Sequence, residues 1–435
     1  GPRGPRPPLP QPAGFMSRIA IIGGGLSGLA SAWLLARRHE VVLFEANGYA
    51  GGHSNTVDAT VDGITHPVDT GFLVYNDRTY PNLIRLFAAL GVETADSDMS
   101  FSVRIGNGEL EWSGSNLATV FAQPANLLRP RFLRMLADLL RFNREASRLA
   151  ESGAPVTGTL GEFLDARGYG PEVRELYLVP MAACIWSTPS SRINRFPMQT
   201  FLTFCANHGL LAVSNRPQWR TVKGGSREYV KKLVAALPDV RLSTPVRQVR
   251  RFPDRVEVAT AHGTERFDQV VLATHTDQSL AMLEHPTGEE RSVLKAIRYQ
   301  PNRAVLHTDE RLLPRRRRAW ASWNFHAPRA GLTDDPVSLT YLLNRLQPLP
   351  FASPVMVTLN PVDEPRADRV LASFDYHHPA FLEGSDEAKR RVVSLQGRER
   401  TWYCGAWTRY GFHEDGLLSA VNVARQMGVP IPWTA

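Results

Sequence analysis

The stretch from Arg18 to Gly52, RIAIIGGGLSGLASAWLLARRHEVVLFEANGYAGG, constrains the fold more than any other part of this sequence. RIAII is a short run of β-branched and apolar residues, and the apolar residues of LSGLASAWLLARR recur at helical spacing. A second strand-like run, EVVLFE, follows and ends in an acid. This order of strand, turn, helix and strand predicts an α/β protein that opens with a Rossmann-like unit.

Three glycines in the first turn form the pattern G-x-G-x-x-G, and each glycine has its own task. Gly23 permits the tight turn, Gly25 lets a pyrophosphate approach the backbone, and Gly28 lets the helix pack closely on the strand. We expect the phosphates at the N-terminus of the helix, beside Leu26 and Ser27. A glycine turn kept only for packing is the alternative, but it would not need the acid that follows.

That acid is Glu45, which stands 17 residues after Gly28 and is followed by Ala46. A carboxylate at the end of the second strand can accept hydrogen bonds from a ribose diol. Strand, glycine turn, helix and acid together predict dinucleotide binding.

The second glycine turn indicates which dinucleotide is bound. The segment EANGYAGGHSNTV resembles the E-x-x-x-x-x-G-G-[RH]-x-x-T segment of the flavin amine oxidase and phytoene desaturase superfamily. The family usually has an arginine two positions before the glycine pair, where this chain has Tyr49, so one cationic phosphate contact is absent. The resemblance implies FAD as the cofactor, and the residues expected to run along it are Gly51, Gly52, His53, Ser54, Gly71 and Phe72.

A second family segment is recognisable in VRLSTPVRQVRRFPDRVEVATAHGTERFDQVVLATHTDQSL. The resemblance implies that the backbone of Val246 contacts the adenine side of FAD. It also implies that a strand from Val270 to His275, which includes Thr274, runs back under the cofactor. Upstream, Gly224 and Gly225 form either a simple helix start or a flavin-proximal turn, and the sequence leaves both interpretations open.

The third family segment is TWYCGAWTRYGFHEDGLLSAVNVARQM, interpreted as a strand from Thr401 to Cys404, a loop and a helix opening near Asp415. The resemblance implies that backbone N–H groups at this helix start point to the N1/O2 side of the flavin. An ordinary C-terminal helix capped by Asp415 is the alternative. The residues expected near the ribityl phosphate are Gly405 and Ala406, and those expected at the pyrimidine end are Asp415, Gly416 and Leu417.

These segments predict a discontinuous arrangement of two domains. Residues 16–79, 216–289 and 391–435 are assigned to a Rossmann-like FAD-binding domain of the amine oxidase type. Residues 80–215 and 290–390 are assigned to an α+β substrate domain with a helical lobe and an antiparallel sheet, since NRAVLHTD, VSLTYLLNRL, PVMVTLN and VLASFDYHH alternate as strands do. The Pro/Gly/Arg-rich residues 1–15 are predicted to be an unstructured extension or tag.

Composition limits the remaining classes of function. The 435 residues are 43% hydrophobic and 21% charged, which is ordinary for a globular enzyme, and no apolar run reaches the roughly 18 residues that span a bilayer. Three scattered cysteines without metal-ligand spacing favour a reducing, cytoplasmic setting and no metal site. The net charge is +8, but the arginines are spread along the chain without a nucleic-acid-binding module, so nucleic acid is not expected as a partner.

Several further stretches, among them DTGFLVYNDRTYPNLIRLF, IWSTP, RPQWRTVKGGSREYV, AWASWN and YGFHEDGL, narrow the resemblance. They are similar to bacterial FAD-dependent oxidoreductases associated with cyclopropane-fatty-acid-synthase-type methyltransferases. The resemblance implies an unsaturated or methyl-branched fatty acyl or phospholipid substrate, hydride transfer from an allylic C–H to flavin N5, and a methyltransferase of the same pathway as a partner. The alternatives are a flavin amine oxidase, a redox-neutral FAD-dependent fatty acid isomerase, and a flavin-stabilised accessory partner of the methyltransferase.

Candidate acid/base groups stand beside the third segment. Tyr410, His413 and Glu414 are the candidates for catalysis, with loop structure and flavin hydrogen bonding as the alternative role. His275 is ambiguous and is not assigned to catalysis.

Two basic stretches raise the question of membrane contact. The segment from Arg129 to Arg148 has helical periodicity, with an apolar face opposite its arginines, and PRRRRAWASW sets Arg315 to Arg318 against tryptophans. Both predict peripheral contact with the inner membrane surface, while a solvated face on a core-packed helix is the alternative.

Overall fold

The computed structural model describes residues 16–211, 216–381 and 384–433, so the extension predicted at 1–15 lies outside the described residues. At its centre is a five-stranded sheet in which every neighbouring pair is parallel. Its strands, in spatial order, are Val240–Arg241, Glu40–Phe44, Arg18–Ile22, Gln269–Leu272 and Thr401–Tyr403.

Apolar runs without alternation explain why these strands lie at the centre. A parallel sheet covered on both faces requires side chains that are apolar on both faces. Ile19, Ala20 and Ile21 are fully buried in the first strand. The helix Leu26–Leu35 covers one face together with the C-terminal helix His413–Gln426. The predicted α/β class with a Rossmann-like core is confirmed.

A second, seven-stranded sheet contains the four runs predicted as strands and three more. The four predicted runs are neighbours and pair antiparallel, and the one parallel pair of the sheet joins two strands that were not predicted. The parallel pair joins two distant chain segments, 323–327 and 101–105, and therefore needs no tight hairpin. In spatial order the strands are Val370–Ala380, Arg298–His307, Met356–Leu359, Ser338–Leu342, Trp323–Ala327, Phe101–Ile105 and Leu110–Ser113.

Three small antiparallel sheets complete the β structure. The first follows the second glycine turn, the second joins residues 75–97 to residues 219–222, and the third forms within the second predicted FAD segment. They consist of Thr56–Val61 with Ile64–Asp69; Tyr75–Asn76, Trp219–Val222 and Thr94–Ser97; and Gln248–Arg251, Val256–Thr260 and Gly263–Phe267.

A helical lobe lies beside the seven-stranded sheet. Its longest member is Pro130–Ser152, here called the basic helix, which buries Phe132, Met135, Phe142 and Ala146. The other α-helices of the lobe are Leu160–Ala166, Pro171–Val173, Val179–Trp186, Ser190–Ile193 and Met198–Asn207. The remaining α-helices of the described chain are Pro81–Leu90, Leu117–Val120, Arg227–Ala235, Thr276–Met282, Gly288–Ala296, Leu343–Leu346 and Ser385–Leu395.

One helix next to a predicted domain boundary packs on the parallel sheet's side of the molecule. Pro81–Leu90, which the boundary at residue 80 assigns to the substrate domain, buries Leu83, Leu86 and Phe87 in the same apolar cluster as the C-terminal helix. The predicted boundaries themselves stay predictions. In the ranges that the structure describes, no helix is both long and apolar enough to cross a membrane.

Candidate active site

The two glycine turns are in direct contact. Gly51 donates a backbone hydrogen bond to the carbonyl of Gly24 at 2.7 Å, and Gly25 forms a β-bridge with Gly51. A Cβ on Gly52 would lie 3.2 Å from the Cα of Gly25, so a side chain there would crowd the first turn. The chain therefore uses both turns to build one surface of bare backbone.

The helix after the first turn offers a place for an anion. It begins at Leu26 after Gly25, and no side chain caps its N-terminus. Uncapped N–H groups and the helix dipole attract negative charge there. A Cβ on Gly25 would have no heavy atom within 4 Å, so the backbone faces open space. This arrangement fits the pyrophosphate of a dinucleotide.

Other glycines of the predicted site serve packing. A Cβ on Gly28 would lie 1.8 Å from the carbonyl oxygen of Gly23, in agreement with its expected role in close helix–strand contact. Gly71 faces the same restriction, since a Cβ there would lie 2.2 Å from the carbonyl oxygen of His53. The amide of Phe72 donates to that same carbonyl at 2.7 Å, which fixes the chain beside the second glycine turn.

Glu45 holds the first glycine turn. Its carboxylate accepts the amide hydrogen of Gly24 at 2.7 Å through Oε2 and that of Asn47 at 2.7 Å through Oε1. Only 7% of the residue is exposed. Each carboxylate oxygen can accept a further hydrogen bond, so both remain able to bind a ribose diol.

The C-terminal helix begins two residues earlier than predicted, at His413 rather than at Asp415. The carboxylate of Asp415 accepts the amide hydrogens of Phe412 at 3.0 Å and Tyr410 at 3.3 Å, which closes the preceding turn. Burial raises the pKa of Asp415 to about 6. Asp415 is thus a cap within the first turn, as in the alternative interpretation.

The first turn of this helix exposes few of its side chains to the cavity. Gly416 lies against the other segments, because a Cβ there would be 2.8 Å from Oγ of Ser27. The side chain of Leu417 is fully buried in the apolar core, so only its backbone could face the pyrimidine end of FAD, and that position stays a prediction. Successive side chains of a helix point in different directions around its axis. Of the three residues predicted there, only Gly416 lines the cavity.

Glu414 is directed away from the site. Its carboxylate accepts hydrogen bonds from the amides of Asn82 at 3.0 Å and Leu83 at 2.9 Å, and from Nδ2 of Asn82 at 2.7 Å. These amides belong to the first turn of the helix Pro81–Leu90. Glu414 therefore caps a neighbouring helix, and its position contradicts the assignment to catalysis.

His413 lies at the cavity wall in a fixed orientation. Its ring stacks on Phe72 with 3.7 Å between centroids, and its Nε2 is 2.8 Å from Oγ of Ser54 and 3.3 Å from the hydroxyl of Tyr229. Burial lowers the pKa of His413 to about 3, so the ring is neutral at pH 7. Ser54 does not line the cavity itself but positions this ring.

A single cavity of about 1390 Å³ brings most of the predicted segments together. Tyr410 and His413, two of the three catalytic candidates, line it. Of the predicted cofactor residues, Gly28, Ser54, Asp415 and Leu417 lie outside its wall. Those in its wall are Gly23, Gly25, Leu26, Ser27, Glu45, Ala46, Gly51, Gly52, His53, Gly71, Phe72, Val246, Thr274, Gly405 and Gly416.

A histidine-rich wall of the cavity was missed by sequence reasoning. His53 lies 5.1 Å from both Tyr376 and His378, measured between ring centroids, and His275 stacks on Tyr299 at 4.0 Å. Tyr376 and His378 are two residues apart on one strand and so face the same side of the sheet. The strand pattern in FDYHH could therefore have predicted that Tyr376 and His378 lie on the same face.

Hydrogen bonds fix the tautomer of His378. Asn360 donates from Nδ2 to Oδ1 of Asn302 at 2.8 Å, so the Asn302 amide nitrogen faces Nδ1 of His378, also at 2.8 Å. Nδ1 must then accept, and the ring proton lies on Nε2. Burial lowers the pKa of His378 to about 4, which keeps the ring neutral.

We expect the flavin-free protein to be acid-labile. Burial lowers the pKa of His208, His275 and His378 to about 4, so the folded state binds these protons more weakly than the unfolded chain. Their stability contribution is fully present above pH 6.5 and is lost as the pH falls toward 4, at about 1.4 kcal/mol per pH unit for each histidine. Urea unfolding across this range measures it.

A matched pair of variants attributes the effect. His378→Gln should flatten the loss of unfolding free energy, whereas His285→Gln, at a side chain that is 90% exposed, should not. A free energy of unfolding that stays constant from pH 6.5 to 4 would contradict the assignment.

FAD is expected to bind without a covalent link to cysteine. Cys184, Cys205 and Cys404 are at most 1% exposed, and none of them is among the described residues that line the cavity. Burial raises the pKa of Cys404 to about 12, which suppresses the reactive thiolate. Acid precipitation should release all yellow colour into the supernatant, and a yellow pellet would show that a covalent link exists.

Comparison with known proteins places these features in one family. The family model for flavin containing amine oxidoreductases matches residues 26–428. Carotenoid phi-ring synthase from Streptomyces griseus is 28% identical over 294 residues, which is 61% of this chain but only 54% of that relative. The chain thus matches about half the length of this curated relative.

Solved structures show the same fold. A CLA-producing fatty acid isomerase from P. acnes has a TM-score of 0.66 at 15% identity, with 94% of this chain and 98% of that chain covered. Putrescine oxidase bound to putrescine has a TM-score of 0.67 at 15% identity, with 96% and 100% covered.

Proposed function

The chain belongs to the flavin-containing amine oxidoreductases, and we propose that within this family it oxidises an unsaturated or methyl-branched long-chain fatty acyl group. It is an FAD-dependent oxidoreductase by family. The finer proposal concerns the substrate and the bond that changes. In it, hydride loss from an allylic carbon and proton loss from its neighbour leave a new double bond.

The residues that would hold FAD are those of the glycine turns and of the two later segments. Gly25 and Gly52 would face the pyrophosphate, Glu45 the ribose, and Gly405 and Gly416 the far end. The bound flavin would supply the acceptor for one hydride, which carries both electrons removed from the substrate. Ligand pockets commonly measure about 300–1000 Å³. A cavity of about 1390 Å³ therefore has room for a second ligand beside the cofactor.

The acidic residues of the cavity wall help to distinguish an amine substrate from an acyl substrate. Among the described residues that line the cavity, Glu45 and Asp375 are the acidic ones. Glu45 is bound to the glycine turn, and Asp375 is exposed on its strand. An alkylamine is a cation at pH 7, and a buried carboxylate beside it would offset the cost of burying its charge. The chamber supplies no buried carboxylate for that purpose in the described wall.

Apolar side chains form part of the cavity wall away from the glycine turns. The wall away from the glycine turns contains Met99, Phe101, Met181, Ile185 and Leu210. Such a lining suits a hydrocarbon chain, because apolar burial contributes about 0.8 kcal/mol per methylene group. Apolar lining, together with the lack of a buried acid other than the turn-bound Glu45 among the described lining residues, is the observation that supports an acyl chain over an amine.

The candidate proton acceptors differ in suitability. His413 already has its Nε2 engaged with Ser54, and its depressed pKa makes it a weak base at pH 7. It is therefore assigned to positioning. Tyr410 lines the cavity, but burial raises the pKa of its hydroxyl, so it is neutral and can donate a hydrogen bond.

The similar proteins represent the two alternative reactions, isomerisation of a fatty acid and oxidation of an amine. The fatty acid isomerase and the carotenoid phi-ring synthase are both named for lipid chemistry, which supports an apolar substrate. A redox-neutral isomerase would use the same chamber as a desaturase. The putrescine oxidase represents the amine-oxidising branch of the fold.

Product mass separates these reactions. Purified protein with FAD should convert an unsaturated or methyl-branched acyl lipid into a product lighter by two hydrogen atoms, detected by mass spectrometry. A product of unchanged mass would indicate the isomerase, and conversion of an amine without conversion of any lipid would overturn the proposal.

A further inference from the structure

Five exposed leucines lie close together in the chain around the start of the helical lobe. Leu117 is 78% exposed and Leu128 is 87% exposed, and Leu127, Leu133 and Leu140 are exposed as well. Single exposed leucines are common on protein surfaces, but a group on adjoining elements marks an interaction site.

The basic helix presents an outward stripe that differs from the one expected from the sequence. Leu133, Ala137, Leu140, Arg144 and Arg148 follow each other at spacings of three and four residues and share one face. These five residues include no acid, and the exposed Glu151 follows them on the same face near the end of the helix. Part of the charged face that the sequence predicts to face solvent instead contacts other residues of the protein.

The acids of the basic helix belong to that engaged face. Asp138 accepts the amide hydrogen of Gly170 at 3.1 Å, and Glu145 accepts the hydroxyl hydrogen of Tyr169 at 2.7 Å. Arg141 pairs with Asp138 at 3.2 Å and lies over the ring of Tyr169. These residues fasten the helix to the loop before Pro171 and do not face an external partner.

Three arginines have no such ties. Within residues 16–211, 216–381 and 384–433, the side chains of Arg144, Arg148 and Arg318 are the ones near these leucines that make neither an ion pair nor a hydrogen bond. Arg134, by contrast, pairs with Glu172 at 3.3 Å. The unengaged arginines are therefore the ones available to an anionic surface.

The fold brings the two basic stretches to the same region. The amides of Arg315 and Arg316 donate to the carboxylate of Glu111 at 2.7 and 3.1 Å, next to the turn Arg317–Ala319. That turn packs against the helix Leu117–Val120. Phe121, the residue directly after this short helix, contacts Phe132 of the basic helix with 6.1 Å between ring centroids.

The same region adjoins an opening of the cavity. Gly114 and Ser115 line the cavity and are also exposed, so the cavity reaches the surface at this loop. Leu117 follows two residues later. Leu117 and the turn that contains Arg318 thus lie close to this mouth of the chamber.

We propose that this face, formed by Leu117, Leu127, Leu128, Leu133, Leu140, Arg144, Arg148 and Arg318, docks on an anionic lipid bilayer. The leucines enter the interfacial region and the arginines contact the headgroups. An acyl chain then reaches the mouth at Gly114 and Ser115 without crossing water. The identity of that chain rests on the proposed function, whereas docking itself does not require turnover.

Sedimentation with vesicles tests the docking face. FAD-loaded protein at low salt is mixed with vesicles of phosphatidylcholine and phosphatidylglycerol, or of phosphatidylcholine alone. The wild type should bind the anionic vesicles more tightly. The triple variant R144Q/R148Q/R318Q should lose on the order of a hundredfold in affinity, since each arginine near such a surface contributes about fivefold.

Matched variants control for net charge and folding. R85Q/R291Q/R425Q removes the same charge from exposed arginines elsewhere and should bind nearly as the wild type does. L117S/L128S should weaken binding to both kinds of vesicle. FAD content and thermal unfolding should be the same in all variants, since none of the changed residues lines the cavity.

Three results would overturn the docking face. The first is a wild type that ignores anionic vesicles at low salt, and the second is equal binding by the two triple variants. The third is L117S/L128S that binds vesicles as the wild type does but converts a dimer to a monomer, which would make the face a contact between copies of the chain. Because no substrate is turned over, failure here leaves the product-mass experiment unaffected.

Discussion

Gly25→Val abolishes FAD binding in this account while leaving the fold in place. The backbone at Gly25 has φ of −71° and ψ of 179°, an extended conformation that valine adopts readily. A Cβ there meets no heavy atom within 4 Å, so the protein itself does not resist the substitution. The valine methyl groups would instead occupy the space assigned to the pyrophosphate.

The expected loss in FAD affinity is on the order of a thousandfold or more, because charge-assisted hydrogen bonds of about 1.5–3 kcal/mol each would be lost together. The ratio of flavin to protein after purification measures it. Thermal unfolding of the variant should match that of flavin-free wild type. Gly288→Val, at another glycine with open space, should keep its flavin. Full flavin content in Gly25→Val would show that the pyrophosphate lies elsewhere.

Glu45→Ala is expected to cost about 2 to 4 kcal/mol of FAD binding free energy, or roughly 30-fold to 700-fold in affinity. The lost ribose contacts account for part of this change. The remainder comes from the amides of Gly24 and Asn47, which would lose their acceptor. Flavin fluorescence during titration of the flavin-free protein gives the affinity.

Glu45→Gln separates the two contributions. The amide keeps one acceptor oxygen for the glycine turn but lacks the charge, so its affinity should fall between those of the wild type and Glu45→Ala. Unchanged affinity in Glu45→Ala would contradict the ribose assignment.

The glycine turns were predictable because their chemistry is local. Close approach of the backbone demands glycine at Gly23, Gly25 and Gly28, and the neighbouring strand and helix patterns fix the context. The contact between the first turn and Gly51 was not predictable from spacing alone. It depends on how the chain after the second strand folds back onto the first glycine turn.

Glu414 and the start of the C-terminal helix show what a sequence pattern omits. HEDG contains two adjacent acids, and either can cap a helix or face a cofactor. The structure assigns Asp415 to its own turn and Glu414 to the helix Pro81–Leu90, more than 300 residues away in the chain. A partner so distant leaves no trace in the local pattern.

The basic helix illustrates a similar limit. Its amphipathic period correctly predicted a helix with Phe132 and Ala146 buried. Its exposed side could not be read from charge alone, because Asp138 and Glu145 find partners in the loop at residues 169 and 170. Leu133 and Leu140 are therefore exposed where an apolar face was not expected.

An anaerobic titration tests directly whether an acyl lipid or an amine reduces the bound flavin. FAD-loaded protein is mixed without oxygen with an unsaturated or methyl-branched acyl lipid, and the visible absorbance of oxidised flavin is followed; putrescine is the matched amine. We expect bleaching by the lipid and none by the amine. Bleaching by the amine alone, or an unchanged spectrum with every lipid tried, would contradict it.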